Sequence, residues 1–172
     1  MDRATCPQCG VEHDLSDMEP SYRWPEAYLA VPIEERHFRT IGGKDDCRVR
    51  DADDSHRRYF LRALLPIPIR GQLERCSWGI WVEVEEAAFG RVRELWDAAD
   101  QQSEPPFAGE LANALKGYED TLGLPGSLRL TGATTAPQFV LADHAGHPLA
   151  IEQREGVYPE RVVEWLGQHC AS

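Results

Sequence analysis

Apolar and polar residues alternate most regularly between Cys76 and Val84. Cys76, Trp78, Ile80, Val82 and Val84 fall on one side, and Ser77, Gly79, Trp81 and Glu83 on the other. A period of two sustained over this stretch predicts a half-buried β-strand. Tyr59 to Leu65 predicts another strand, which runs on through Pro66-Ile67-Pro68-Ile69. The two prolines lack N–H groups on the same edge, so this stretch should be an edge or a bulge. Arg70-Gly71-Gln72 fits a hairpin turn, which places the hairpin Tyr59–Ile69 with Leu73–Val84 at the sheet centre. From Glu86 to Gln101 the period becomes helical, with Phe89, Val92, Trp96 and Ala99 on one stripe before Pro105-Pro106 stops the helix. A final helix starts at Pro159, with Val162, Val163 and Leu166 on its apolar stripe, joined by Trp165.

Weaker signals fill the rest. Pro25 and Pro32 each suit the first turn of a short helix. Short strands are expected at Cys47–Arg50, Leu128–Leu130, Pro137–Ala142 and Leu149–Ile151, while Phe107–Leu115 fits a strand or a helix. Strands, helix, strands and helix, joined by hairpin-length connections, predict an α+β fold. Its mainly antiparallel sheet would be packed by two longer helices. A parallel sheet would need more crossover helices. One domain spans residues 1–172, divided into a zinc-knuckle-like segment at 1–20 and an α+β body at 21–172.

Charge narrows the function. The 172 residues carry 18 basic and 29 acidic side chains, for a net −11. That balance disfavours nucleic-acid binding, which needs clustered cations. No run approaches the ~20 apolar residues of a membrane span. All basic residues but Lys44 and Lys116 are arginine, as a GC-rich bacterial genome would encode. The N-terminus lacks a signal-like pattern and the five cysteines are an odd number, so a cytoplasmic protein is expected.

The candidate chemistry begins with Cys6-Pro7-Gln8-Cys9-Gly10. Two thiolates at this spacing reach one ion, and Gly10 frees the tight turn behind them. His13 is a third candidate ligand and Cys47 a fourth; Asp14, Asp46, His37 or water are alternatives to Cys47. Four protein ligands would make a closed, structural Zn²⁺ site. A redox pair or two solvated thiols are the competing readings. Cys76 is expected to be a packed thiol and Cys170 incidental.

Two further places hold candidate groups. His144 and His147 flank the turn Asp143–Pro148, with Glu152 just beyond, and read either as solvated turn residues or as acid–base or metal groups. Trp78 and Trp81 point to opposite faces of one strand. One belongs to the core; the other, Trp81, needs a cover or marks a binding surface.

Taken together, Cys6-Pro7-Gln8-Cys9-Gly10 with His13, Asp46-Cys47, Trp78-Gly79-Ile80-Trp81-Val82, His147-Pro148-Leu149-Ala150, Glu152-Gln153 and Gly156-Val157 resemble the bacterial family known as domain of unknown function 2199. The resemblance runs from Cys6 to the last helix. It implies a single domain and supports the cysteine–histidine cluster, and it implies no activity and no catalytic residue. Ala136-Pro137 stands where the family tends to carry Arg-Pro, which argues against an anion-binding arginine there. Glu85-Glu86 replaces the family's serine cap on the central helix.

The expected function is a non-catalytic binding or interaction protein with a structural zinc. Its acidic surface suits a basic protein partner, as an immunity protein meets a basic toxin. The alternative is a small metal-dependent or His/Glu acid–base enzyme acting on a small molecule.

Overall fold

The computed structural model describes residues 3–5, 10–14, 19–73, 75–143 and 146–169. A small antiparallel pair, β1 (Arg3–Thr5) and β2 (Glu12–Asp14), stands apart from the main sheet. The main sheet runs β3 (Thr40–Gly42), β4 (Asp46–Arg50), β5 (Arg57–Pro68), β6 (Arg75–Val84), β7 (Phe107–Leu111), β8 (Pro125–Arg129) and β9 (Gln138–Leu141) in spatial as well as chain order. Every neighbouring pair in that order is antiparallel. One parallel contact, Leu64 with Gln138, then joins β9 back to β5. Strands β5 to β9 therefore close into a five-stranded mixed barrel, with β3 and β4 as a flap beside the first half of β5.

This corrects the predicted α+β architecture. The sheet is closed rather than open and layered, and the helices around it are short: α1 (Glu26–Leu29), α2 (Arg36–Arg39), α3 (Glu86–Leu95), α4 (Pro148–Glu155) and α5 (Pro159–His169). The central helix stops ten residues after Glu85, because the chain turns at Trp96 and the Gln101 side-chain amide donates to the Trp96 carbonyl at 2.8 Å. Residues 149–151 belong to α4 and not to a strand. Pro148 occupies the first helical turn, and His147 caps it by accepting the Leu149 N–H at 3.1 Å. Phe107–Leu111 resolves as a strand.

The β5–β6 hairpin is the barrel's longest pairing, in register from Tyr59 opposite Val84 to Pro68 opposite Arg75. The alternation expected on β6 holds. Cys76, Trp78, Ile80, Val82 and Val84 fill the barrel core with Leu61, Ala63, Leu65 and Ile67. Phe89 and Val92 of α3 and Trp165 of α5 pack on that core, and Trp96 is half-buried against it. A barrel this narrow is filled by side chains and leaves no channel.

The prolines explain the seam. Leu64 N–H donates to the Pro137 carbonyl, so Pro66 and Pro68 would aim their missing N–H groups at the same outer edge of β5. No strand among the described residues pairs there. Instead Gln153 of α4 stitches the gap: its amide donates to the Phe139 carbonyl at 2.8 Å and the Pro66 carbonyl at 3.3 Å, and its oxygen accepts the Leu141 N–H at 2.8 Å. A side-chain amide thus bridges the seam at Pro66, and the Val157 N–H donates to the Pro68 carbonyl at 2.9 Å.

A second apolar cluster lies outside the barrel, made of Val31, Cys47, Val49, Phe60, Trp81 and Ala112. The segment 20–28 covers it. Tyr22 N–H donates to the Gly79 carbonyl and Gly79 N–H to the Pro20 carbonyl, both at 2.9 Å. A side chain at Gly79 would collide with Ser21 at 2.6 Å, so only glycine admits this crossing.

Candidate functional site: an arginine-lined cleft

Alternation on β4 decides what faces solvent. Cys47 and Val49 turn toward the second cluster, which leaves Arg48 and Arg50 on the other face. The register with β5 sets Arg48 opposite Tyr59 and Arg50 opposite Arg57. Like charges directly across an antiparallel pair destabilise it. Arg50 is relieved by Asp54 at 3.4 Å and by the Phe38 carbonyl at 3.0 Å. The Arg57 side chain has neither a hydrogen bond nor an ion pair among the described residues.

Helix α3 forms the facing wall. Glu86, Phe89, Gly90, Arg93 and Glu94 recur at helical spacing on one side and look across to β4. Phe38, Arg39 and Ile41 close the far end. The cleft between them has a volume of about 610 Å³. The Phe89 ring lies under two guanidiniums, Arg48 at 5.9 Å and Arg93 at 5.8 Å, and against the Tyr59 ring at 5.2 Å. Tyr59 donates its hydroxyl to Glu86 at 2.7 Å. That bond raises the phenol above its usual range, while Arg57 and Arg48 pull the other way.

Five arginines line this cleft in a protein of net charge −11. Three are neutralised: Arg39 by Glu35 at 2.6 Å, Arg50 by Asp54, and Arg93 by Asp46 at 3.3 Å. Arg48 and Arg57 are not. Arg48 is the one half-buried arginine among the described residues whose side chain has no hydrogen bond or ion pair.

The residues singled out from sequence fall elsewhere. Cys6, Cys9 and His144 lie outside the described residues. His13 sits in β2 paired with Ala4. Cys47 is 0% exposed among apolar side chains, and burial, then Asp46, pushes its thiol up to about 12. Among the described residues no three His, Cys, Asp or Glu side chains gather as a metal site. Trp81 is 1% exposed, so it belongs to the interior and not to a binding surface. Trp24 stacks beside it at 6.2 Å, and the Trp81 indole N–H donates to the Tyr22 carbonyl at 3.1 Å.

His147 and Glu152 do come together, around Tyr118. The Tyr118 hydroxyl donates to Glu152, and Arg161 donates to the other carboxylate oxygen at 3.3 Å. Burial, then the bond to Glu152, lifts the Tyr118 phenol far above its usual range. His147 bonds the Glu119 carbonyl at 2.6 Å through Nε2 and caps α4 through Nδ1. Both ring nitrogens and both carboxylate oxygens are spent within the fold. The arginine cleft was not found from sequence. Its signals were the Arg48-x-Arg50 alternation on a short strand and a glycine inside the stripe of α3.

A protein-family profile matches residues 5–157 of the chain. The chain belongs to the DUF2199 family. That family is described as an uncharacterised protein conserved in bacteria, and the match covers the barrel, the flap and α4 of this DUF2199 protein. No curated protein and no solved structure shows significant similarity to it. No helix among its described residues is long and apolar enough to cross a membrane.

Proposed function

We propose that this DUF2199 protein is a non-catalytic binding protein that takes an anionic ligand in the cleft between α3 and β4. Arg48 carries the reading: a half-buried guanidinium without a carboxylate or carbonyl partner among the described residues. Drawing a cation from water without a partner is costly. Its position over Phe89 returns only ~0.5–2 kcal/mol. An anion bridging Arg48 and Arg57 would restore the balance and relieve the Arg50–Arg57 repulsion. The lining's hydroxyl, on Tyr59, is committed to Glu86, and its other carboxylate, Glu94, pairs with Arg91 at 3.4 Å.

Two other parts of the reading are independent of the cleft. The acidic exterior suits a basic protein partner. Cys6, Cys9 and His13 would hold a structural Zn²⁺, with Cys47 or an oxygen donor such as Asp14 or Asp46 as the fourth ligand. The apolar setting of Cys47 favours the oxygen donor.

Thermal unfolding tests the cleft. Inorganic phosphate is added at constant ionic strength, with chloride as the reference salt. At about tenfold over its Kd the linkage contributes about 1.4 kcal/mol, or roughly 3–5 °C for a chain this size. The wild type is expected to gain this and Arg48→Gln to lose it. Equal stabilisation of both would reduce the effect to general salting and overturn the proposal.

A further inference from the structure

The open cations and an open wall share one cleft. Gly90 stands inside α3 and faces the cleft, where glycine is a poor helix former. A Cβ built there meets nothing within 4 Å, and its backbone is helical, so neither packing nor conformation calls for glycine. Beside it Phe38 and Ile41 are 53% and 62% exposed and line the same space. A bare inorganic ion would leave that apolar surface in water. At about 610 Å³ the cleft has the size of a small-molecule site and not of an ion site. Two open guanidiniums match one anionic group and fall short of a polyanion.

We propose that the ligand is a small amphipathic organic acid. Its carboxylate, sulfonate or phosphate group is held by Arg48 and Arg57, and its flat apolar body lies over Gly90 against Phe38 and Ile41. This rests on the anion-binding reading above and adds the class of molecule. Gly90 is a positioning feature: it keeps the wall low enough for the body to pass.

The test titrates the full chain with 1-anilinonaphthalene-8-sulfonate, an aromatic sulfonate whose fluorescence reports an apolar setting. The wild type is expected to saturate at one site. Arg48→Gln and Gly90→Leu should each weaken binding about tenfold or more. Arg129→Gln, an exposed arginine of β8 outside the cleft, should leave it unchanged. A partly unfolded variant would bind more probe, not less, and a native circular-dichroism spectrum of each variant rules out full unfolding. If phosphate stabilises the wild type through Arg48 but probe binding ignores Gly90→Leu, the amphipathic ligand is refuted and the anion site stands. If phosphate has no Arg48-dependent effect and the probe ignores Arg48→Gln, both readings fall.

Discussion

Replacing Gly90 by alanine should make this protein more stable. Gly90 is the fifth residue of the ten-residue helix α3, with a full turn on either side. The alanine methyl would meet no atom within 4 Å beyond its chain neighbours and its own helix backbone, so it brings neither a clash nor a new packing contact. What remains is the backbone. Alanine restricts the unfolded chain and favours the helix, which is worth about 1 kcal/mol at an interior position. For a chain of 172 residues that corresponds to about 2–4 °C in Tm. Urea denaturation followed by circular dichroism is the assay, and the midpoint should rise with the m-value unchanged. Gly109→Ala is the contrasting control. A Cβ there would strike Val82 at 2.6 Å and the Glu83 carbonyl at 2.9 Å, so the same chemical change should destabilise. A midpoint for Gly90→Ala at or below wild type would refute the reasoning, because it would mean that the wall of the cleft is not open.

Gln153→Leu keeps the volume but removes three hydrogen bonds at the barrel seam; a loss of about 2–4 kcal/mol is expected in urea melts, with the Leu141 N–H losing exchange protection first. Trp81→Ala should cost about 3–5 kcal/mol, as a buried indole rather than a surface one. Burial holds the Cys47 and Cys76 thiols at about 12, against 9.0 for a free thiol, so the folded state keeps protons that the unfolded chain releases. Their contribution is present in full below pH 9.0 and is lost as pH climbs toward 12, so the urea midpoint should fall across that window and fall less in Cys47→Ala. Elemental analysis of protein kept from chelators tests the N-terminal zinc proposal: about one equivalent of zinc, lost in Cys6→Ser, is expected, and metal-free wild type would reject it.

Local pattern carried much of the fold and little of the site. The β6 alternation and the β5–β6 hairpin follow directly from period-two residues, and the two prolines marked an edge that no strand among the described residues pairs. Barrel closure was not legible, because it depends on a single parallel contact between Leu64 and Gln138, residues far apart in sequence. The short run Leu149-Ala150-Ile151 carries no period long enough to separate strand from helix, and the His147-Pro148 cap decides it. The cleft was hidden for a related reason. Arg48 and Arg57 look like ordinary solvated charges until the β4–β5 register sets them beside Tyr59 and α3 folds over them. Cysteine and histidine types drew attention to chemistry, whereas the feature of the cleft is electrostatic: cations without partners among the described residues of a protein rich in carboxylates.

The most direct measurement is an NMR spectrum of the arginine side-chain Nε–H groups in labelled protein as inorganic phosphate is added. Arg48 and Arg57 are expected to shift first and saturably, while Arg75 and Arg129, which are exposed and have no ion pair among the described residues, barely move. Uniform small shifts across all arginines, or saturation at Arg75 or Arg129 instead, would contradict this.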